Sequence, residues 1–367
     1  VLSDTYNNNL FDFNKNIVRA NSITPTLGYN PDDGILLGFK NVYTVKGFQR
    51  NPFSQQHRFK AGWFFATSGF SLDYNGEFAN FLGDWNLHVS GKLTTENFTN
   101  NFFGYGNETE NNDDELELDY NRVKTSTYQA SIGVLKKGNF GSDYGFKFLV
   151  EGIEIGETPD RFIETYAPSI LNEDFYNRRF FTGLEANYNY ASYDNKITPT
   201  RGMIFNVSTG FKTEPEETTN TYGYINSNLG FYNALSRNRK LVLKTDIKGQ
   251  LRVGEELLFY QAANLGSENG LRGFRTERFT GKRSLVGSAD VRYAFKSFKT
   301  RTLPLQVGVF VGGDVGRVWL KNDFSDKWHN DYGGGFWVSA ADSVQGTFNF
   351  FNSVEGLRFT FGFGIAF

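Results

Sequence analysis

Alternation with a period of two, sustained over unusually long runs, constrains this chain more than any other feature. From Lys240 to Val253, the apolar residues Leu241, Leu243, Ile247, Leu251 and Val253 alternate with Lys240, Lys244, Asp246, Lys248, Gln250 and Arg252. Successive side chains of a strand point to opposite faces, so the segment predicts a strand with one apolar and one charged face. The same dyad runs through Arg58 to Ala66, Phe70 to Phe78, Asp84 to Leu93 and Met203 to Lys212. Strands of soluble sheets are typically about 5–6 residues long. These runs last about ten to fourteen residues, in the range of the roughly 9–11 tilted residues that cross a bilayer. About sixteen such segments occur, at 22–30, 34–46, 56–67, 69–80, 83–95, 122–136, 143–155, 178–192, 202–213, 222–234, 239–253, 282–296, 303–319, 331–341, 345–352 and 356–367. Their even number fits bacterial outer-membrane barrels. The expected fold is all-β, a transmembrane antiparallel β-barrel of about 16 strands over residues 22–367, with 1–21 as an N-terminal segment or linker.

Composition agrees with a wall that is greasy on one face only. Hydrophobic residues reach 39%, yet 17% of the chain is aromatic, with 39 Phe and 19 Tyr. No stretch approaches the roughly 20 apolar residues of a spanning helix. Prolines respect the partition: Pro31, Pro52, Pro159, Pro168, Pro199 and Pro215 fall in connections, and Pro25 and Pro304 near strand starts. The long connections 96–121, 156–177, 254–281 and 320–330 all fall at one end, which outer-membrane barrels turn to the cell exterior. The short turns of the other end carry Lys136, Lys137, Arg237, Arg239, Lys296, Lys299 and Arg301. Trp85 and Trp319 fall at opposite strand ends, where aromatic girdles belong.

Several function classes are excluded. A net charge of -2 gives no support for nucleic-acid binding. Cysteine is absent, and His57, His88 and His329 are too far apart for a local metal motif, so neither a metal nor a cofactor is expected. Gly266, Gly270 and Gly273 near Lys282 and Ser284 do not make a phosphate loop, because the spacing is wrong and a strand follows. Neither HExxH nor a nucleophile elbow occurs, and the chain is not expected to be an enzyme. The acidic run from Glu108 to Asp119 reads as a solvated loop.

The connection between the eleventh and twelfth strands contains Asn269-Gly270-Leu271-Arg272-Gly273-Phe274-Arg275. Here the chain resembles the superfamily of bacterial surface antigens and outer-membrane assembly factors, which includes BamA, TamA and the two-partner-secretion translocators. Leu271, Arg272, Gly273 and Phe274 match its V/L-R-G-F/Y tetrad, at the same topological position. The resemblance implies an extracellular loop folded into the barrel lumen, whose arginine pairs with carboxylates of the next two strands. Those would be Asp290 and Asp314, the latter in Gly312-Gly313-Asp314-Val315-Gly316, similar to the family's F/G-x-D-x-G motif through Gly312, Asp314 and Gly316. Alternation independently turns both carboxylates inward, since Leu285, Ala289, Val291, Tyr293 and Phe295, and likewise Leu305, Val307, Val309 and Val311, take the lipid face. Phe359, Phe361, Phe363, Ile365 and Phe367 form an alternating terminal signal of outer-membrane barrels.

The resemblance implies insertion or translocation of polypeptides at the outer membrane of a Gram-negative bacterium. Its partners would be outer-membrane lipid and lipopolysaccharide, a client polypeptide and periplasmic accessory proteins. Opening would occur at a seam between first and last strands, where Pro25, Gly362 and Gly364 either weaken the pairing or only accommodate curvature at closure, with Thr26 and Phe363 as trial positions for a crosslink. The alternative is a membrane anchor or export route for an attached phosphoesterase or patatin-like lipase, since Tyr29-Asn30-Pro31-Asp32-Asp33-Gly34 is similar to the barrel start of such Bacteroidota fusions. About twenty residues precede the first strand, fewer than a POTRA domain needs, and Val1 without a leader reads as a processed chain or excised domain. The faces carry a further expectation, that Arg is costly at Leu87, Phe205 or Leu243 and tolerated at Asn86 or Lys244.

Overall fold

A computed structural model describes residues 19–46, 53–170, 175–254, 257–301, 303–321, 324–340 and 344–364. Sixteen long strands follow one another: β1 (Arg19–Asn30), β2 (Gly34–Val45), β3 (Gln55–Phe64), β4 (Gly69–Leu82), β5 (Trp85–Thr94), β6 (Arg122–Lys137), β7 (Ser142–Ile155) and β8 (Arg179–Tyr193). Then come β9 (Gly202–Thr213), β10 (Tyr222–Ala234), β11 (Leu241–Val253), β12 (Arg283–Ala294), β13 (Pro304–Trp319), β14 (His329–Ala340), β15 (Val344–Ser353) and β16 (Gly356–Gly364). Each pairs antiparallel with its sequence neighbours, and β1 also pairs with β16, which closes the barrel. No helix of the described residues is long and apolar enough to cross a membrane.

Alternation decides which side chains meet lipid. Leu184, Ile247 and Val311 are each more than half exposed, as befits an outward face that water does not normally touch. Outward rings of neighbouring strands stack into an aromatic belt, with Phe336 against Phe348 and Phe348 against Phe361, both at 4.4 Å between centroids. Inward residues are polar through the middle of the barrel, where a cavity of about 470 Å³ is lined by His88, Asn187, Asn206 and Asn226 among others. Apolar packing inside is heaviest toward the long-loop end, and Phe310, Trp337 and Phe351 make a smaller cluster on β13, β14 and β15. One cluster joins Phe102, Val123, Ile155, Ile163, Phe175 and Phe259.

Strand ends depart from the sequence reading by up to three residues. The first strand begins at Arg19, so Pro25 lies in mid-strand opposite Phe39 instead of near a start. The third strand stops at Phe64, where the chain turns with Ser68 in left-handed backbone. The connection after β7 contains a helix, Phe162–Ile170, that period-two reading cannot detect. Phe363 stands opposite Leu27, one position on from Thr26. Asn86 does not face free lumen: it is buried, donates to Glu77 Oε1 at 2.7 Å and accepts from the Asn80 amide at 2.9 Å, so an arginine there would displace a satisfied pair.

Candidate functional site

The connection 254–282 returns to the wall through two short strands, Ala263–Leu265 and Phe279–Gly281, that pair with each other. Between them Gly270 takes φ 121°, and a Cβ there would fall 2.8 Å from Val286 Cγ1. Glycine is therefore needed for the chain to press against β12. Leu271 and Phe274 are almost fully buried with Leu265, Phe279, Val286 and Val318. The last two belong to the inward face of β12 and β13, so this cluster seats the loop on the lumen side of the wall.

Arg272, between these anchors, reaches two strands at once. Its Nε and Nη2 donate to Asp314 Oδ2 and Oδ1 at 2.8 and 2.7 Å, and its Nη2 and Nη1 donate to Asp290 Oδ1 and Oδ2 at 2.7 and 3.2 Å. Its amide also donates to Asp314 Oδ2 at 3.1 Å. The register pairs Ser288 with Asp314 and Asp290 with Gly312, which sets the two carboxylates on a diagonal that a planar fork can span. A Cβ on Gly312 would lie 2.0 Å from Asp290 Oδ1, so this glycine makes room for the carboxylate. The guanidinium lies over the Phe351 ring, 4.0 Å from its centroid. Burial alone would lower its basicity, but hydrogen bonds and charge from Asp314 and Asp290 outweigh it and hold the group charged. Next in line, the Gly273 amide donates to Asp331 Oδ2 at 2.8 Å, and Ser353 Oγ donates to the Gly273 carbonyl at 2.8 Å.

A second ionic centre lies beyond the tetrad, and the sequence reading missed it. Asp32, in the turn between β1 and β2, is 2% exposed. Its carboxylate accepts from Arg275 Nε at 2.7 Å, Thr276 N at 3.1 Å, Thr276 Oγ1 at 3.0 Å and Asn101 Nδ2 at 3.2 Å, and also from Arg358 of β16. Arg122 donates to the Asp32 carbonyl. Burial pushes the carboxyl up, but Arg358 and Arg275 with their hydrogen bonds hold it below the usual carboxylate range. Asp33 beside it is raised by burial, and Glu277 of the loop is pushed up to about 8 by burial, with Glu268, Asp33 and Asp32 adding to the rise. Arg278 extends the tether, donating to Glu355 Oε1 at 2.6 Å. Left-handed backbone at Glu277 is the local trace of how sharply the loop turns here.

The remaining expected residues lie apart from this centre. Phe359, Phe361 and Phe363 are on β16, with Phe359 stacked near Tyr29 at 5.8 Å; Ile365 and Phe367 lie outside the described residues. Gly28 faces Gly362 across the closure, and Gly364 pairs with Gln345. Gly316 backs onto Val286, 3.0 Å from where its Cβ would lie. Among the described residues no group of three or more histidines and carboxylates is placed to hold a metal ion.

The sequence profile of the Omp85 superfamily domain matches residues 65–367. No curated protein sequence matches the chain. Among solved structures, the fold is similar to that of BamA from Haemophilus ducreyi lacking POTRA domains 1-3, at 16% identity and a TM-score of 0.65, covering 94% of this chain and 70% of that one. It is also similar to CdiB from Escherichia coli, at 12% identity and a TM-score of 0.62 over 94% of this chain and 63% of that one. CdiB from Acinetobacter baumannii is similar at 11% identity and a TM-score of 0.55, covering 95% of this chain and 60% of that one.

Proposed function

This chain belongs to the Omp85 superfamily, and on that premise we propose that its barrel mediates insertion or translocation of polypeptides at the outer membrane of a Gram-negative bacterium. The observation that carries the reading is the Arg272 fork. A loop tied to Asp290 and Asp314 on the lumen side obstructs free diffusion, which disfavours a simple porin. The same loop, through Arg275 and Thr276, holds Asp32, which also takes Arg358 of β16. It thereby links the continuous wall of β12 and β13 to both strands of the closure.

In this mechanism, separation of β1 from β16 exposes backbone donors and acceptors. A client strand then adds to the free edge, as in β-augmentation. The outward aromatic face meets membrane lipid and lipopolysaccharide. The short basic turns face periplasmic accessory proteins. The membrane-anchor alternative requires no opening, and this difference supplies the test. With no native cysteine, Leu27→Cys and Phe363→Cys place a single pair across the seam at registered positions. Oxidation should abolish insertion or translocation by the complete protein, and reduction should restore it. Undiminished activity in the oxidised form would remove lateral opening and put the anchor reading ahead.

A further inference from the structure

At the short-turn end, away from the loop, the lumen holds a cavity of about 330 Å³. Its lining carries the cationic side chains of Arg239, Lys240, Arg292 and Lys296 and no carboxylate. Arg239 is engaged by Asp194 at 3.5 Å. Arg292 is different: on the inward face of β12, it has no hydrogen-bond or ion-pair partner among the described residues, and its guanidinium lies 5.7 Å from the centroid of the Trp337 ring. The nearby inward carboxylates are already taken, Asp246 of β11 by Lys244 at 2.8 Å and Asp290 of β12 itself by Arg272 at 2.7 Å.

Trp337 forms the floor. It is 3% exposed, and its Nε1–H has no acceptor among the described residues. Gly308, its registered partner on β13, lets the indole lie against the strand, since a Cβ there would fall 2.3 Å from Cζ2. Trp337 is thus fixed by the wall, with its Nε1–H buried there, and its ring backs the Arg292 guanidinium that the cavity presents. A carboxylate suits that fork, because its two oxygens accept from the guanidinium N–H groups.

We infer that this cavity is a binding site for a carboxylate side chain of an extended acidic peptide segment, held by Arg292 with Lys240 and Lys296 beside it. The volume lies at the lower end of the roughly 300–1,000 Å³ of ligand pockets, more than a bare anion fills and enough for an acidic side chain with its flanking backbone. Val242 supplies apolar wall for its methylenes. That the occupant is a polypeptide rests on the reading of the barrel as a polypeptide machine. The site would be met at the short-turn end, ahead of the loop.

The test uses the full chain, folded in detergent micelles, with calorimetric titration of three probes: a short glutamate-rich peptide, its all-glutamine counterpart and inorganic phosphate. The glutamate peptide should bind, more weakly as salt rises, and the glutamine peptide should not. Arg292→Gln should weaken binding about tenfold or more, as expected for loss of a charge-assisted hydrogen bond. Arg292→Lys should recover part of it, and Trp337→Phe, which keeps a ring beneath the guanidinium, should change it little. Retained heat-modifiable mobility on electrophoresis certifies that each variant is folded. Equal binding of the two peptides, or undiminished binding by folded Arg292→Gln, would overturn the inference. Phosphate binding as tightly as the peptide would assign a small-anion site and overturn the peptide occupant. A chain active in client insertion whose peptide binding ignores Arg292 defeats this inference alone. Arg292-dependent binding in a chain whose oxidised seam leaves activity untouched defeats the earlier reading alone.

Discussion

Along its β15 edge the last strand is registered residue for residue from Gln345–Gly364 to Ser353–Gly356, whereas along its β1 edge the ladder among the described residues runs only from Leu27–Phe363 to Tyr29–Phe361. Above Tyr29 no further backbone pair is registered, and the junction is made by side chains: the Tyr29–Phe359 ring contact and the Asp32–Arg358 pair, with loop residues Arg275 and Thr276 on the same carboxylate. A backbone ladder holds any strand of suitable pattern and resists opening along its whole length. A polar cluster holds one geometry and lets go when one partner moves. The contrast teaches what closes this barrel where the ladder is short: a ring contact and a buried carboxylate that Arg358 and the loop share.

The strongest way to break that contrast is Asp32→Ala. It leaves Arg275 and Arg358 without their shared acceptor, and a buried charge stripped of its partner costs about 3–5 kcal/mol. Denaturant titration of the barrel folded in lipid measures it. Asp33→Ala is the neighbouring control, since that side chain accepts only from Asn30 Nδ2, at 3.0 Å, among the described residues. Equal stability of the two variants would mean that the ladder alone closes the seam.

Next in size are the ladder-held walls. Phe205→Arg or Leu243→Arg on the lipid face should cost about 2–4 kcal/mol near the bilayer midplane, while Lys244→Arg, which keeps a cation beside Asp246, should stay within about 0.5 kcal/mol. Equal sensitivity of the two faces in the same titration would refute the assignment of inside and outside.

A pH series sharpens the account of the loop. Glu277 binds its proton more tightly folded than unfolded, up to about 8 against an ordinary 4.5, so the folded state carries more protons between those values. Stability should therefore fall as pH rises through that window, and Glu277→Gln should flatten the slope. An unchanged slope in that variant would place the dependence elsewhere.

The smallest effect separates glycines of the two kinds. Gly362→Ala at the seam meets nothing within 4 Å and should gain about 0.5–1 kcal/mol of strand stability, whereas Gly312→Ala collides with Asp290 and should lose about 1–3 kcal/mol. The same stability in both would contradict the packing around Arg272.

Period-two alternation determined the strand count, the inward and outward faces and, through the chain's own order, which strands are neighbours. A side chain's face depends only on its place in the pleat, so Asp290 and Asp314 were legible as inward from their own strands. The tetrad singled out Arg272, and the fold sets its fork between those carboxylates. Tertiary structure alone decided what stands across the lumen. Asp32 meets Arg275 and Arg358 over 243 and 326 positions of sequence, and no local pattern encodes a contact that exists only once the barrel closes. Asp331 and Phe351, which complete the seat of the loop, and Trp337, held flat against Gly308, were hidden for the same reason. Asn86 shows the limit from the other side. Its polarity announced the lumen face correctly, but only the packed wall reveals that Glu77 and Asn80 already occupy it.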